Sequence, residues 1–347
     1  MKKFTLRDGS SVSVDGMSAI HTDRDNKQVQ LDGAVVQAMN NGYLDADGAV
    51  FFQRQLEHIK ARSYDVRYAE LPARTLFPVS NEGGAGITSI TYRTYDQVGS
   101  AKIINAYAND LPRADVAGKE TTIPVRSVGT SFGYNLDEMA ASQLTGAALD
   151  QRRANASRRA VEQVVNSVAF FGDADSNLPG LFSNTNIPTG SVVNPGSGTT
   201  WVNKTPDEIL FDVNDLFADI FETTKMVERG NTLLLPPAQW SYIASTPRAS
   251  NSDTTILQYL AMNSPYLNSV DDIIPVNECN AANNPLLATD AMIAYDRSPD
   301  KLQLEIPVEL EYLPVQQKNL EFVVPGRNRL GGLNIYYPLS IAIATGI

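Results

Sequence analysis

Apolar positions recur with helical spacing over one unusually long stretch. Leu136, Met139, Ala140, Leu144, Ala147, Ala148, Ala154, Val161, Val164, Val165 and Val168 keep the three-to-four-residue period of a helix. A single helix over 136–171 would be roughly 54 Å long at about 1.5 Å per residue, too long for one small core to cover. Asn135 stands as its N-cap with Glu138 placed to answer it, and Gly172 supplies the stop. In the middle, Gly146 and the polar run Arg152, Arg153, Asn155, Ser157, Arg158 and Arg159 thin the apolar stripe. The helix is therefore expected to be buried at its ends and more exposed between them.

The pattern before this helix is of another kind. Residues 1–47 are polar and glycine-punctuated, which predicts an extended, irregular arm with one short helix near 34–39. Helical spacing returns over 49–62, and 66–79 looks strand-like, interrupted by Pro72 and Pro78. Two runs rich in Thr, Val, Ile and Tyr, 87–98 and 121–134, predict strands. A polar tip over 105–119 joins them into a long two-stranded ribbon. Gly83-Gly84-Ala85-Gly86 leads into it and reads as a flexible hinge.

After the long helix, 183–200 is Ser-, Asn-, Gly- and Pro-rich and predicts a loop. Thr205-Pro206-Asp207-Glu208 sets a cap, a first-turn proline and a box-closing Glu in order, opening a helix to about 228. Strands follow at 232–235, 273–276, 291–295, 302–306, 321–324 and 333–344, with helices at 237–245 and 256–262. Helices and strands mix without a regular βαβ rhythm, so the fold class is α+β.

Composition narrows what such a chain can do. Its formal net charge of -11 disfavours tight binding to nucleic acid, which needs clustered cations. One cysteine, Cys279, allows neither an internal disulfide nor a cysteine-based zinc site. No apolar run long enough to span a membrane occurs, and no apolar segment follows Met1-Lys2-Lys3, so neither a membrane anchor nor a signal peptide is expected. Only two histidines exist, His21 and His58, and neither belongs to a metal-ligating or catalytic pattern. Asp173-x-Asp175-x-Asn177 resembles the opening of a calcium loop. Leu178 and Asn184 replace the glycine and glutamate such a loop needs, so a capped turn is the better reading. No enzyme chemistry, cofactor or metal is expected.

The one basic cluster is Arg152, Arg153, Arg158 and Arg159. At about 100° per residue the four spread around the helix, and only Arg152 and Arg159 share a face. Glu162, one turn on, is expected to pair with Arg158 and Arg159. Ion pairs between subunits, a solvated face and direct DNA contact all remain open for this cluster.

The order of these parts resembles the major capsid proteins of tailed phages, which share the Hong Kong 97-type shell fold with encapsulin compartments. The residues that carry the resemblance are Phe170-Phe171-Gly172-Asp173 and Leu178-Pro179-Gly180-Leu181-Phe182 after the long helix. Thr205-Pro206-Asp207-Glu208-Ile209-Leu210 and Arg329-Leu330-Gly331-Gly332-Leu333-Asn334-Ile335-Tyr336-Tyr337-Pro338 complete the set. The resemblance implies an N-terminal arm (1–48), a lead-in helix and strand (49–79) and an extended E-loop (80–130). A P-domain (131–204) around the spine helix 136–171, an A-domain (205–325) and a returning C-terminal strand (326–347) would follow.

It also implies self-assembly into pentamers and hexamers of an icosahedral head shell enclosing double-stranded DNA. The portal and any scaffolding or decoration proteins would be the partners, the virion the location, and the host bacterial cytoplasm the place of assembly. A compartment enclosing a cargo enzyme is the alternative. The expected intersubunit contacts are Arg93, Lys102, Asp110, Arg113, Asp115, Lys119, Arg152, Arg153, Arg158 and Arg159. Some relatives crosslink a ribbon Lys to an Asn of the next subunit. Here Lys102 and Lys119 lie in the ribbon and Asn328 and Asn334 near the end, with no alignment between them indicated, and a noncovalent shell is expected. The segment before the ribbon is short for a fused scaffolding domain, so a separate scaffolding protein or none is expected, with Met1 retained.

Overall fold

A computed structural model of the chain describes residues 2–5, 11–15, 18–22, 28–30, 68–103, 112–145, 149–193, 198–249 and 251–347. The chain divides into two units, Met1–Tyr68 and Ala69–Ile347. In the first, β1 (Lys2–Thr5), β2 (Ser11–Asp15), β3 (Ser18–Thr22) and β4 (Gln28–Gln30) form an antiparallel meander in that order. This corrects the expectation of an irregular arm. Val12 and Val14 alternate with Ser11 and Ser13, a two-residue period that the surrounding glycines mask on casual reading. The helices expected at 34–39 and 49–62 lie outside the described residues.

The second unit is built around a five-stranded sheet buried on both sides. Its strands are β9 (Thr189–Ser191), β10 (Thr232–Leu235), β11 (Ile273–Pro275), β12 (Ala291–Tyr295) and β18 (Ile341–Thr345), in the order β11-β10-β12-β18-β9. Period-two alternation sorts its side chains into two cores. Leu234, Ile293, Tyr295, Ile341 and Ile343 face one core, shared with Val161, Val165 and Phe170. Leu233, Leu235, Met292, Ala294 and Ala342 face the other, against Ile209, Val213, Phe217 and Leu260. Burial of both faces explains why β10, β12 and β18 read as unbroken apolar runs.

The helices that cover the sheet begin where the sequence says they should. Helix α4 (Pro206–Thr223) starts with a closed capping box, the Thr205 N–H and hydroxyl both donating to Glu208 Oε2 at 2.7 and 2.8 Å. It stops at Thr223 rather than near 228, where Lys225 and Met226 take positive φ. Helices α5 (Pro237–Ser245) and α6 (Ile256–Asn263) fall where the apolar pattern places them.

Four further expectations change. The strand predicted over 66–79 contains a one-turn helix, α1 (Ala73–Leu76), followed by the short strand β5 (Val79–Ser80). Pro72 opens that turn, its carbonyl accepting from Thr75 and Leu76 at 2.9 Å, so it starts a helix rather than interrupting a strand. The single helix over 136–171 is described as α2 (Leu136–Thr145) and α3 (Leu149–Phe171), with 146–148 outside the described residues. The α3 C-terminal half is buried, but Leu136, Met139 and Leu144 of α2 are exposed among the described residues. The strand expected over 333–344 is β17 (Gly332–Ile335) and β18, parted by a turn at Pro338, whose ring and missing N–H end the ladder.

The ribbon is present with its ends moved. Strand β6 (Ser89–Gly99) pairs antiparallel with β7 (Ala114–Pro124), from Ser89 opposite Pro124 to Gly99 opposite Ala114. The strand expected over 121–134 is therefore two. Past the buried Val125, β8 (Arg126–Asn135) leaves the ribbon and pairs along its length with β16 (Glu321–Leu330). Strand β16 also pairs with β14 (Val308–Tyr312) and β15 (Gln316–Lys318), which their Glu and Gln content hid. A small sheet, β17-β13-β5, completes the unit, with β13 at Leu302–Glu305.

Candidate subunit-contact surfaces

The ribbon has no core of its own. Over their outer halves both strands are exposed, and each is eleven residues long, roughly 36 Å at about 3.3 Å per residue. Cross-strand pairs hold it: Thr91 to Thr122 at 2.8 Å, and Arg93 Nε to Glu120 at 2.7 Å. Further out, Tyr95 packs over Gly118, where a Cβ would sit 3.3 Å from the ring. Tyr95 and Val116 lie on the same face by register, and both are exposed. Paired surface of this kind is marginal alone.

A second unsatisfied surface lies on α2. Leu136, Met139 and Leu144 share one helix face by spacing and all are exposed, Leu144 to 89 %. The Leu136 N–H donates to the Leu320 carbonyl at 3.2 Å, and Leu320 is exposed too. The apolar stripe therefore continues onto the β15–β16 turn. Beside it runs a charged groove lined by Glu138, Arg153, Lys318 and Glu321.

The arginines divide into two kinds. Arg153 is committed within the chain: it bonds both Glu138 oxygens at 3.0 and 3.1 Å, donates to the Gly133 carbonyl, and lies over the Tyr134 ring. Glu138 also accepts the Asn135 N–H at 3.3 Å, and Arg153, then that N–H, hold its carboxyl below the usual range. Arg159 donates to the Ala69 carbonyl at 3.0 Å. Arg152 and Arg158 are exposed.

The expected pairing of Glu162 with Arg158 and Arg159 does not occur. Glu162 pairs instead with Arg74 at 2.7 Å, whose guanidinium also grips Glu309 through two bonds of 2.8 Å. Sequence reasoning missed Arg74 because it stands on a one-turn helix in a proline-flanked stretch. Its two carboxylate partners lie 88 and 235 residues away.

Of the remaining ribbon residues, Lys102, Arg113, Asp115 and Lys119 are exposed, Asp115 accepting its neighbour's Val116 N–H at 2.8 Å. Asp110 lies outside the described residues. Asn328 and Asn334 are buried inside the subunit, Asn328 completely, so neither is presented to a neighbour's lysine. The Asp173–Asn177 stretch is a turn, closed by reciprocal 2.9 Å bonds between Asp173 and Leu178, with Asn177 at φ 55. Cys279 is fully buried, and burial pushes its thiol up. Among the described residues no cluster of three or more His, Cys, Asp or Glu side chains could hold a metal. No helix among them is long and apolar enough to cross a membrane.

A two-face-buried sheet, a long helix and a projecting ribbon define the Hong Kong 97-like shell fold, and solved capsids share it. The capsid of Myoviridae phage XM1 superposes with a TM-score of 0.75 at 20% identity, covering 87% of this chain and 100% of that one. Mycobacterium phage Ogopogo gives 0.58 at 12%, covering 86% and 99%. The capsid of an empty GTA particle gives 0.54 at 11%, covering 89% and 97%. Among curated proteins no sequence match emerges. The sequence profile of the major capsid protein family matches residues 99–347, and the chain belongs to that family. It is a structural protein of a virus head.

Proposed function

We propose that this chain assembles into the pentamers and hexamers of an icosahedral phage head around double-stranded DNA. The observation that carries the reading is the ribbon, whose outer half is exposed on both strands and gains a core only against another subunit. Within this reading 1–48 is the N-terminal arm and 80–130 the E-loop. The P-domain spans 131–204, the A-domain 205–325, and 326–347 returns to both. The exposed ribbon charges Arg93, Lys102, Arg113, Asp115 and Lys119 contact neighbours, as do the exposed Arg152 and Arg158. Arg153 and Arg159 act mainly within the subunit.

The family match favours a phage head over a cargo-holding compartment. A net charge of -11 suits a lumen that confines DNA without binding it tightly. Portal and any scaffolding or decoration proteins are further partners, with assembly in the host cytoplasm. Cryo-electron microscopy of the purified protein tests the reading: closed icosahedral shells or their capsomers are expected. Monomers under every assembly condition would overturn it.

A further inference from the structure

The face of the small β17-β13-β5 sheet turned away from the core is polar, and it is buried nonetheless. Leu302, Leu304, Leu333 and Ile335 point into the core, while alternation puts Gln303, Glu305 and Asn334 on the opposite face. Glu305 is 3 % exposed and Asn334 1 %. The Tyr336 hydroxyl bridges Gln303 at 3.1 Å and Glu305 Oε1 at 3.3 Å. That leaves Glu305 Oε2 and both polar atoms of the Asn334 amide without partners. Glu305 forms no ion pair among the described residues. The groups facing it are Ser80 and Glu82 from β5 and the turn after it, and Tyr336 and Asn334 from β17 and its exit. Arg329, on the adjoining strand, is turned to the Ala85 carbonyl.

What covers this polar face is the foot of the ribbon. The Tyr92 ring stands edge-on to Tyr336, centroids 5.0 Å apart, and Ile90 lies over Gly331 beside Glu305. Gly83 and Gly84, both at positive φ, precede the ribbon. The projecting element is thus seated on buried polar groups where an apolar seat would be ordinary.

We propose that Glu305 and Asn334 form a proton-operated seat for the ribbon: the neutral Glu305 carboxyl donates from Oε2 to Asn334 Oδ1 and holds the ribbon foot, and loss of that proton to solvent loosens it. The donor bond satisfies two of the orphaned atoms at once, whereas an ionised carboxylate there would be buried without a counter-charge. Burial raises the Glu305 carboxyl and the nearby Glu82 charge adds to the rise, while the neighbouring Ser80, Tyr336 and Asn334 groups oppose it. Because the folded value is raised, the seat is fully effective below the ordinary glutamate value of about 4.3. It weakens as pH rises through the folded value and is constant above it. The consequence for assembly, that acid pins the ribbon and rising pH frees it to reach a neighbour, rests on the function proposed above; the seat itself does not.

Hydrogen exchange of the unassembled full chain between pH 4 and 8, corrected for intrinsic rates, reads the opening of residues 89–98 directly. The opening constant should rise by up to about tenfold per pH unit across the titration and then level off. Glu305→Gln, neutral at every pH and nearly isosteric, should remove the slope and stay at the acid-like, slow limit. Glu82→Gln removes a charge that only adds to the rise set by burial, so it should move the titration to lower pH and keep the slope. A flat wild-type profile, an unchanged slope in Glu305→Gln, or a slope lost in Glu82→Gln would each overturn the proposal. None of these outcomes bears on whether shells form, so failure here and failure of the capsid reading are distinguishable.

Discussion

Replacing Lys204 by methionine should be among the most damaging single changes in the second unit. Lys204 Nζ lies 2.6 Å from Asp212 Oδ2, with the two side chains 1% and 2% exposed. The same ammonium holds the Val193 carbonyl at 2.8 Å, and Trp201 Nε1 adds a bond to Asp212 at 3.0 Å. These contacts tie Val193, Trp201 and Lys204 to α4. Burial raises the Asp212 carboxyl, and the Lys204 and Trp201 bonds act against that rise. Without Lys204 the carboxylate keeps one donor and no counter-charge, a change that costs about 3–5 kcal/mol in comparable buried pairs. For a unit of this size that is a fall in Tm of roughly 5–9 °C. Adding Asp212→Asn to Lys204→Met should recover half or more of the loss, since the stranded charge is then gone. Lowering pH below the carboxylate range should rescue the single variant likewise, because protonation removes the same charge. Denaturant unfolding at pH 7 decides it. A loss below about 1 kcal/mol, or a double variant no more stable than the single, would refute the assignment of an uncompensated buried charge.

Three other outcomes can be measured on the same material. Gly172→Ala should cost about 2 kcal/mol, because φ is +72 and the new Cβ would lie 2.6 Å from Ser183 Oγ and 2.8 Å from the Leu178 carbonyl; thermal unfolding reads it. Arg74→Ala should cost about 1–2 kcal/mol, since both its carboxylate partners are partly solvated and regain water; urea unfolding reads it. Leu144→Glu and Tyr95→Asp should leave subunit stability within about 0.5 kcal/mol of wild type yet abolish or cripple shells by electron microscopy, because both positions are exposed in the lone chain.

Much of the second unit was legible because its signals are local. The α4 capping box, the apolar runs of β10 and β12 and the stop at Gly172 each depend on residues a few positions apart. What escaped depends on distance. Strand β15, Gln316-Gln317-Lys318, carries no apolar residue and exists because β16 offers it a ladder. Arg74 looked unremarkable because its partners are remote in sequence. Glu305 sits in Leu302-Gln303-Leu304-Glu305, an alternation that predicts a solvated polar face. The ribbon foot, brought in from residues 90–92, packs against Tyr336 and Gly331 beside it, and Glu305 is buried. The candidate contacts were legible as residues but not as pairs, since nothing local separates Arg153, satisfied at home, from Arg158, one turn and a half further on.

Exposed apolar surface in this chain follows the same division. The sheet residues Leu233 and Leu234 find partners on both sides from within the chain, and they are completely buried. Tyr95, Val116, Leu136, Met139 and Leu144 belong to elements with equally good local patterning, yet among the described residues they stay exposed. Local propensity is thus satisfied where tertiary burial is missing. Burying such residues at about 25 cal/mol per Å² of apolar area is a driving force that only association can supply. Because each patch is small, any single contact between subunits is weak. Closure of many identical contacts then stabilises the shell far beyond one contact, and errors can dissociate before they are locked in. A chain that completed these surfaces internally would fold more stably and would have little left with which to assemble.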